Sequence, residues 1–339
     1  MTPRVSAVVL AYGPEPWLGR CIEGVLASEG VDVDVVLVDN GGADETVSTF
    51  VGRDRVRIVG SGTNLGFSGG CDLGVAASDG DYVALVNGDL VVDPDALARL
   101  VEVAADPAIG IAAGSVRLSS DRELLNSSGN AVHFLGFSWV EGFELPAATH
   151  AIDRDVAGAM GALVVLRREV WDDLGGFPEQ FFAFHEDADL SWRAWQRGLR
   201  VHYVPEAIGV HRYEFGREGS KMYLAERNRW IFVLGCWDGR TLALLAPAFL
   251  AMEVAIAAAA AAGGWFGDKR RGWVWLWRNR RWLAERRRQV QADRRRTDRE
   301  LAPLMAVRMD ARNFELPEWA RPFDVALGWY WRVVRRLLR

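Results

Sequence analysis

Cysteine is scarce in this chain. Cys21, Cys71 and Cys236 are its three thiols in 339 residues, widely spaced and without a CxxC pair. An odd, scattered set excludes a disulfide framework and a cysteine zinc site, which leaves buried thiols in a reducing compartment as the expectation. The opening residues run straight into a strand pattern without the long apolar core and cleavage site of a signal peptide, so the protein is expected on the cytoplasmic side. Neither a P-loop nor a GxGxxG fingerprint is present. Internal repeats and low-complexity linkers are missing too, and 50% hydrophobic with 25% charged residues is the composition of an ordinary folded protein.

What is there divides in two. The length suits one large α/β domain with a tail, since single cores rarely grow beyond roughly 250 residues. A net charge of −5 conceals a strong asymmetry. Residues 1–267 carry 20 Lys and Arg against 36 Asp and Glu, a net of −16, while residues 268–339 carry 20 against 9, a net of +11. A phosphate backbone repels the acidic body, which argues against general nucleic-acid binding; the basic tail suits anionic lipid or, alternatively, a single nucleic-acid strand.

Apolar runs at 5–10, 35–38, 55–59 and 82–86 read as buried strands, and helical spacing follows the first at 16–26 and recurs near 44–51 and 70–77. Such alternation calls for a mainly parallel sheet covered on both faces. The pattern continues through a helix near 94–105, a strand at 109–118, a mixed region to His150, a strand at 162–166 and helices at 168–174 and 186–197. A strand at 199–204 stops before Pro205, with a short one at 208–210.

Candidate chemistry gathers in the loops. Asp39-Asn40 follows the strand at 35–38 and Asn87-Gly88-Asp89 the strand at 82–86, placing both at the carboxyl ends of neighbouring parallel strands, where ligands collect in open α/β sheets. Turn formation and helix capping are the bland alternatives for such residues. A loop carboxylate such as Asp89 suits Mg²⁺ or Mn²⁺ shared with a diphosphate, because hard cations prefer oxygen ligands. Asn64-Leu65-Gly66-Phe67-Ser68-Gly69-Gly70 opens a helix and either brings backbone N–H groups to a substrate or is a flexible turn. Glu186, Asp187 and Asp189 share the first turn of a helix, where acids also stabilise the dipole and cap N–H groups. His211 ends a short strand, a place that is usually structural for a lone histidine.

These segments, with Gly-Gly-Phe-Pro-Glu at 175–179 and Glu-Asp-Ala-Asp-Leu at 186–190, resemble in order and spacing the family 2 inverting glycosyltransferases, and within them the bacterial rhamnosyltransferase-like branch, over residues 4 to about 235. The resemblance implies an α/β fold of GT-A type, the Rossmann-like nucleotide-diphospho-sugar transferase fold, in residues 1–235, with a helical, basic, Trp-rich extension at 236–339. It also implies a dTDP- or UDP-linked sugar donor met by Tyr12, Asp39, Asn40, Asn64, Gly66, Asn87 and Gly88. A divalent cation, Mg²⁺ or Mn²⁺, would sit on Asp89 and His211, with Asp187 as catalytic base and Glu186 beside it. L-rhamnose from dTDP-rhamnose to a lipid-linked or glycan acceptor in cell-wall or polysaccharide assembly is the first expectation, and galactofuranose or another UDP-sugar the alternative. A catalytically silent nucleotide-sugar-binding protein is the alternative of another class. Two departures stand out: Pro178 replaces a frequent Asp, and Cys71-Asp72 replaces a common Asn-Asn.

The segment 242–262 is apolar apart from Glu253, and Pro247 is expected to break it. At 21 residues it is nominally long enough to cross a bilayer, yet it is rich in weakly apolar Ala, and crossing would carry the basic stretch 268–300 to the far side. Eight of the 15 Trp lie in 265–339 beside Arg. The expectation is therefore attachment to the inner face of a membrane without crossing; packing of the segment against the catalytic domain is the alternative.

Overall fold

The computed structural model describes residues 2–42, 44–60, 62–212, 221–310 and 321–338. Two compact units emerge. The first comprises residues 1–130, 140–194 and 199–215, and the second residues 131–139, 195–198 and 216–339.

The first unit begins β1 (Arg4–Ala11), α1 (Leu18–Leu26), β2 (Asp32–Asp39), α2 (Asp44–Ser48), β3 (Val56–Gly60), α3 (Gly66–Ala76) and β4 (Tyr82–Asn87). It continues with β5 (Leu90–Val92), α4 (Ala96–Ala104), β6 (Ile109–Leu118) and β7 (Leu125–Ser127). The chain then contributes β8 (Asn130–His133) and β9 (Ser138–Val140) mainly to the second unit, and the first unit resumes with β10 (Arg154–Asp155), β11 (Leu163–Arg167), α5 (Arg168–Leu174), α6 (Glu186–Gln196) and β12 (Arg200–His211). Among the described residues the sheet has ten strands in the order β10-β12-β6-β11-β4-β1-β2-β3, with β5 on β12 and β7 on β6. Strands β4, β1, β2 and β3 run parallel, as do β12 and β6, while β11 inserts antiparallel between β4 and β6.

Both faces of β1 are buried, as a strand covered by helices on each side requires. Val5, Ala7, Val9 and Ala11 join one core with α1 and α4. On the other face α3 lies very close. A Cβ at Gly74 would stand 2.3 Å from Val8 Cγ1, and one at Gly70 2.6 Å from Leu10 Cδ2, so glycine one helical turn apart lets α3 settle on β1.

Two expectations change. Asp39 and Asn87 do not end neighbouring strands: β1 lies between β2 and β4, so the two motifs flank it. The expected pair of strands at 199–204 and 208–210 is a single strand, β12, whose register against β6 jumps from Val204↔Gly114 to Ile208↔Ser115. Pro205 interrupts the ladder there as a residue without an N–H must, and the strand then resumes beside the same partner.

The second unit holds α7 (Lys221–Cys236), α8 (Gly239–Ala262), α9 (Phe266–Arg278), α10 (Arg280–Ala292), α11 (Asp298–Leu301), β13 (Met305–Ala306) and α12 (Arg321–Leu337). Strands β13, β8 and β9 make a small sheet. Pro247 does not break α8, which runs continuously through it from a cap by Asp238 on Thr241 N. Trp237 Nε1 donates to Phe134 O at 2.8 Å and the Phe134 and Trp331 rings stack at 4.9 Å, giving this unit its own core.

Candidate active site

Register, rather than sequence proximity, builds the acidic centre. Strand β4 ends at Asn87, the chain turns at Gly88 and Asp89, and β5 then pairs antiparallel with the end of β12, His211 opposite Leu90. Across 122 residues of sequence this places His211 Nε2 3.0 Å from Asp89 Oδ1. The ring is buried and its Nδ1 lies 2.8 Å from Asn126 Oδ1 on β7. In the tautomer whose Nδ1–H donates to Asn126, Nε2 turns a lone pair toward the Asp89 carboxylate, an opposition that a cation would relieve. A carboxylate oxygen and an imidazole nitrogen form a donor set suited to Mg²⁺ or Mn²⁺ once diphosphate oxygens complete it. Among the described residues no group of three His, Cys, Asp or Glu gathers around a metal position, so protein ligation would rest on this pair.

Asp187 stands at the start of α6. Its Oδ2 accepts from Asn130 Nδ2 at 3.0 Å and from Gly161 N at 3.2 Å, and its Oδ1 from Ala188 N at 2.7 Å. Burial pushes this carboxyl above the usual carboxylate range, although those hydrogen bonds to the anion oppose the shift. Ala162 O, one residue beyond Gly161, accepts from Asn87 N at 3.0 Å, so a short run of backbone joins Asp187 to the Asn87-Gly88-Asp89 turn. Ser191 Oγ donates to Asp187 O and accepts from Ala159 N, fastening α6 to the same run. Asp189 serves the structure instead. Fully buried, it pairs at 2.8 Å with Arg193, whose guanidinium also donates to Leu174 O and Gly176 O. Glu186 is buried next to Asp187.

The Gly-rich segment meets the strained loop before α6. Gly66 has φ +72°, and a Cβ there would lie 2.3 Å from Phe182 O, which also accepts from Ser68 N at 3.0 Å. Phe182 itself has φ 62° and ψ −62°, and Phe184 and His185 also have positive φ. Strained backbone of this kind persists where its surroundings over-determine it, as at active sites.

Asn40 plays a different part from direct contact with an open site. It is buried, with Nδ2 donating to Gly66 O at 3.1 Å and Oδ1 accepting from Leu65 N at 2.8 Å, so it fixes the Gly-rich loop. Asn64 does the same, its Oδ1 accepting from Gly66 N at 2.8 Å. Asp39 Oδ1 accepts from Gly41 N at 3.2 Å. Tyr12, 59% exposed at the end of β1, offers a ring for stacking, and Gly88 allows close passage of Leu10 O, 2.8 Å from where a Cβ would be. Cys21, Cys71 and Cys236 are all buried, and burial pushes the Cys21 and Cys71 thiols up, away from nucleophilic use. Three neighbours of the site, Asn126, Asn130 and Arg212, have no sequence signal of their own. Arg212 follows His211, with its N–H on Asp89 O at 2.8 Å and its guanidinium 3.3 Å from Glu15.

A mostly parallel sheet of this order, with an acid-histidine pair and a half-buried carboxylate in its loops, has the architecture of a GT-A-type fold. Solved structures agree on the fold: GalNAc-T7 with UDP, GalNAc and Mn²⁺ superposes at TM-score 0.59 with 15% identity over 72% of this chain and 50% of that one. The mannosyltransferase PcManGT of Pyrobaculum calidifontis, solved with GDP-Man and Mn²⁺, gives 0.50 with 18% identity over 86% of each chain. Residues 3–233 match the family "Glycosyltransferase like family 2", and the chain belongs to that family and is a glycosyltransferase. Among curated relatives it is 28% identical over 69% of its length to the N-acetylglucosaminyl-diphospho-decaprenol L-rhamnosyltransferase of Mycobacterium tuberculosis, covering 85% of that protein. It is 34% identical over 36% of its length to the succinoglycan biosynthesis protein ExoO of Rhizobium meliloti, covering 38% of it.

Proposed function

We propose that the protein transfers L-rhamnose from dTDP-rhamnose, with inversion, to a lipid-linked or polysaccharide acceptor at the inner face of a membrane, residues 236–339 supplying the attachment. The observation that supports the mechanism is the backbone run at 159–162, whose Gly161 N donates to Asp187 Oδ2 and whose Ala162 O accepts from Asn87 N, two residues before Asp89 of the Asp89–His211 pair. Asp187 takes the proton of the acceptor hydroxyl as that oxygen attacks the anomeric carbon, and its raised pKa favours the transfer. Asp89 and His211 would hold a divalent cation, which would neutralise charge on the departing diphosphate. Tyr12 and Asp39 meet the base, and Asn40 and Asn64 hold the Gly-rich loop in the shape the donor needs. Glu186 orients Asp187 or an acceptor hydroxyl. A relative that acts on a decaprenol-linked sugar supports the lipid-linked acceptor and the choice of rhamnose.

Calorimetry of dTDP and UDP, with and without Mn²⁺, is the direct test. Wild type is expected to bind with metal and weakly without it. Asp89→Ala should abolish the metal dependence and His211→Ala weaken it; equal metal dependence in all three proteins would sink the assignment. A thermal-shift series of nucleotide sugars then ranks dTDP-rhamnose against UDP-galactofuranose.

A further inference from the structure

Helix α8 has the wrong surface for its place in the second unit. Its most apolar window has a mean hydropathy of 2.1, high enough for a membrane span, yet only 22% of that window is buried. A core helix of this composition would be buried, and a solvent-facing one would be polar on its outer side. The inner side of α8 carries Leu245, Ala248, Phe249, Met252 and Ala260. The outer side exposes Ala243, Pro247, Leu250, Val254, Ala258 and Ala261 at steps of three or four, without a charge.

The one acid of α8 points the other way. Glu253 pairs with Arg229 of α7 and, at 2.9 Å, with Lys269 of α9, and it accepts from Trp230 Nε1 and Trp273 Nε1, each at 3.0 Å. Glu226 completes the group, 3.2 Å from Arg229 and paired with Lys269. Both cations are buried. Moving α8 across a bilayer would take Glu253 from this network and leave Arg229 and Lys269 with one carboxylate between them, which buried charges tolerate poorly.

Neighbouring helices repeat the chemistry. Along α12, Trp329, Val333 and Leu337 are exposed in one stripe beside Arg332, Arg335 and Arg336, while Leu327, Trp331 and Val334 are buried on the other. Tyr330 Oη donates to Leu244 O, tying α12 to α8. On α9, Trp277 is 67% exposed, and Arg280 stacks on its ring at 4.8 Å as Arg332 does on Trp329 at 4.7 Å. An apolar face bordered by exposed Trp and Arg matches the apolar, headgroup and anionic layers of a lipid surface.

We infer that the outer face of α8 lies in the plane of an anionic membrane, with Trp277 and Trp329 at headgroup level, and that the Glu253–Arg229–Lys269–Glu226 network is the latch that keeps α8 from crossing. This deepens the membrane attachment proposed above and does not depend on the sugar donor. Truncation is a poor test, because removing residues 242–339 would take Glu253 and Lys269 from the buried Arg229–Glu226 pair of α7. Point changes on the exposed stripe avoid that. Full-length protein is expected to float with vesicles containing phosphatidylglycerol, to bind pure phosphatidylcholine weakly, and to be released by alkaline carbonate. Leu250→Glu/Val254→Glu should bind the anionic vesicles at least about tenfold more weakly while melting as wild type does; Ala258→Glu serves in its place should the double variant unfold. Resistance to carbonate extraction would mean crossing and overturn the inference. So would equal vesicle binding by the variants, or a wild type that ignores lipid and forms dimers which the variants dissociate. None of these readouts uses a donor, so the glycosyltransferase reading stands or falls separately.

Discussion

A carboxylate that takes a proton from a sugar hydroxyl works best with a pKa near the working pH, and burial moves Asp187 in that direction. Asp187→Asn should lower kcat by about a hundred- to ten-thousandfold with donor affinity little changed, since the base acts on the acceptor. Activity within a few fold of wild type would return Asp187 to helix capping. Asn130 works through it: its Nδ2 stabilises the anion and so holds the pKa down. Asn130→Ala should move the acid limb of the pH–kcat profile to higher pH; a lower kcat with an unmoved limb would make Asn130 merely structural. Asp72 tests burial without chemistry. Burial raises its carboxyl to about 6 against the hydrogen bond from Phe177 N. A folded pKa above the unfolded value means stability present below about 4 and lost as pH rises through about 6. Asp72→Asn should therefore raise stability at pH 7 by ~2 kcal/mol and change little at pH 4. Denaturant melts at the two pH values decide it.

At the scale of elements, Gly66 is where sequence and site meet most tightly. Alanine there would have to hold φ +72° with its Cβ 2.3 Å from Phe182 O, so the strained loop before α6 must move. Gly66→Ala should cost about 1–3 kcal/mol of stability and a larger share of donor binding. Donor affinity unchanged beside a normal melt would show that the loop yields freely. The same elements explain what could be read from the sequence. Asp39, Asn87 and Asp89 were legible as strand-end positions from alternation and Asp187 as the opening of a helix, while their roles rested on the family resemblance. Asn126 and Asn130 sit in strands of three and four residues inside a stretch without periodicity, and only the fold joins them to His211 and Asp187. Proline misled twice. Pro205 interrupts a ladder that continues, and Pro247 stands on the exposed side of α8, where the carbonyl its missing N–H would have met can face outward.

Across the whole molecule the charge asymmetry seen in the sequence has two components. Many of the tail's arginines are exposed, but Lys269 is fully buried and works with Arg229 against Glu226 and Glu253. Burial alone would raise both carboxyls, and the two cations outweigh it, holding each below its ordinary value of 4.5. A depressed folded pKa gives stability that is present above about pH 4.5 and lost as pH falls through the folded values. Lys269→Met keeps much of the side chain's bulk and removes the cation, leaving two buried carboxylates with Arg229 alone. The second unit should lose about 3–5 kcal/mol at pH 7, as expected for a broken buried ion pair. The loss should shrink as pH falls below about 4.5, because protonated glutamates no longer need the ammonium. Calorimetric melts of both proteins from pH 7 to pH 3.5 measure this difference. An offset that stays constant over that range would show that Lys269 matters through packing, and that α7, α8 and α9 are not joined by charge.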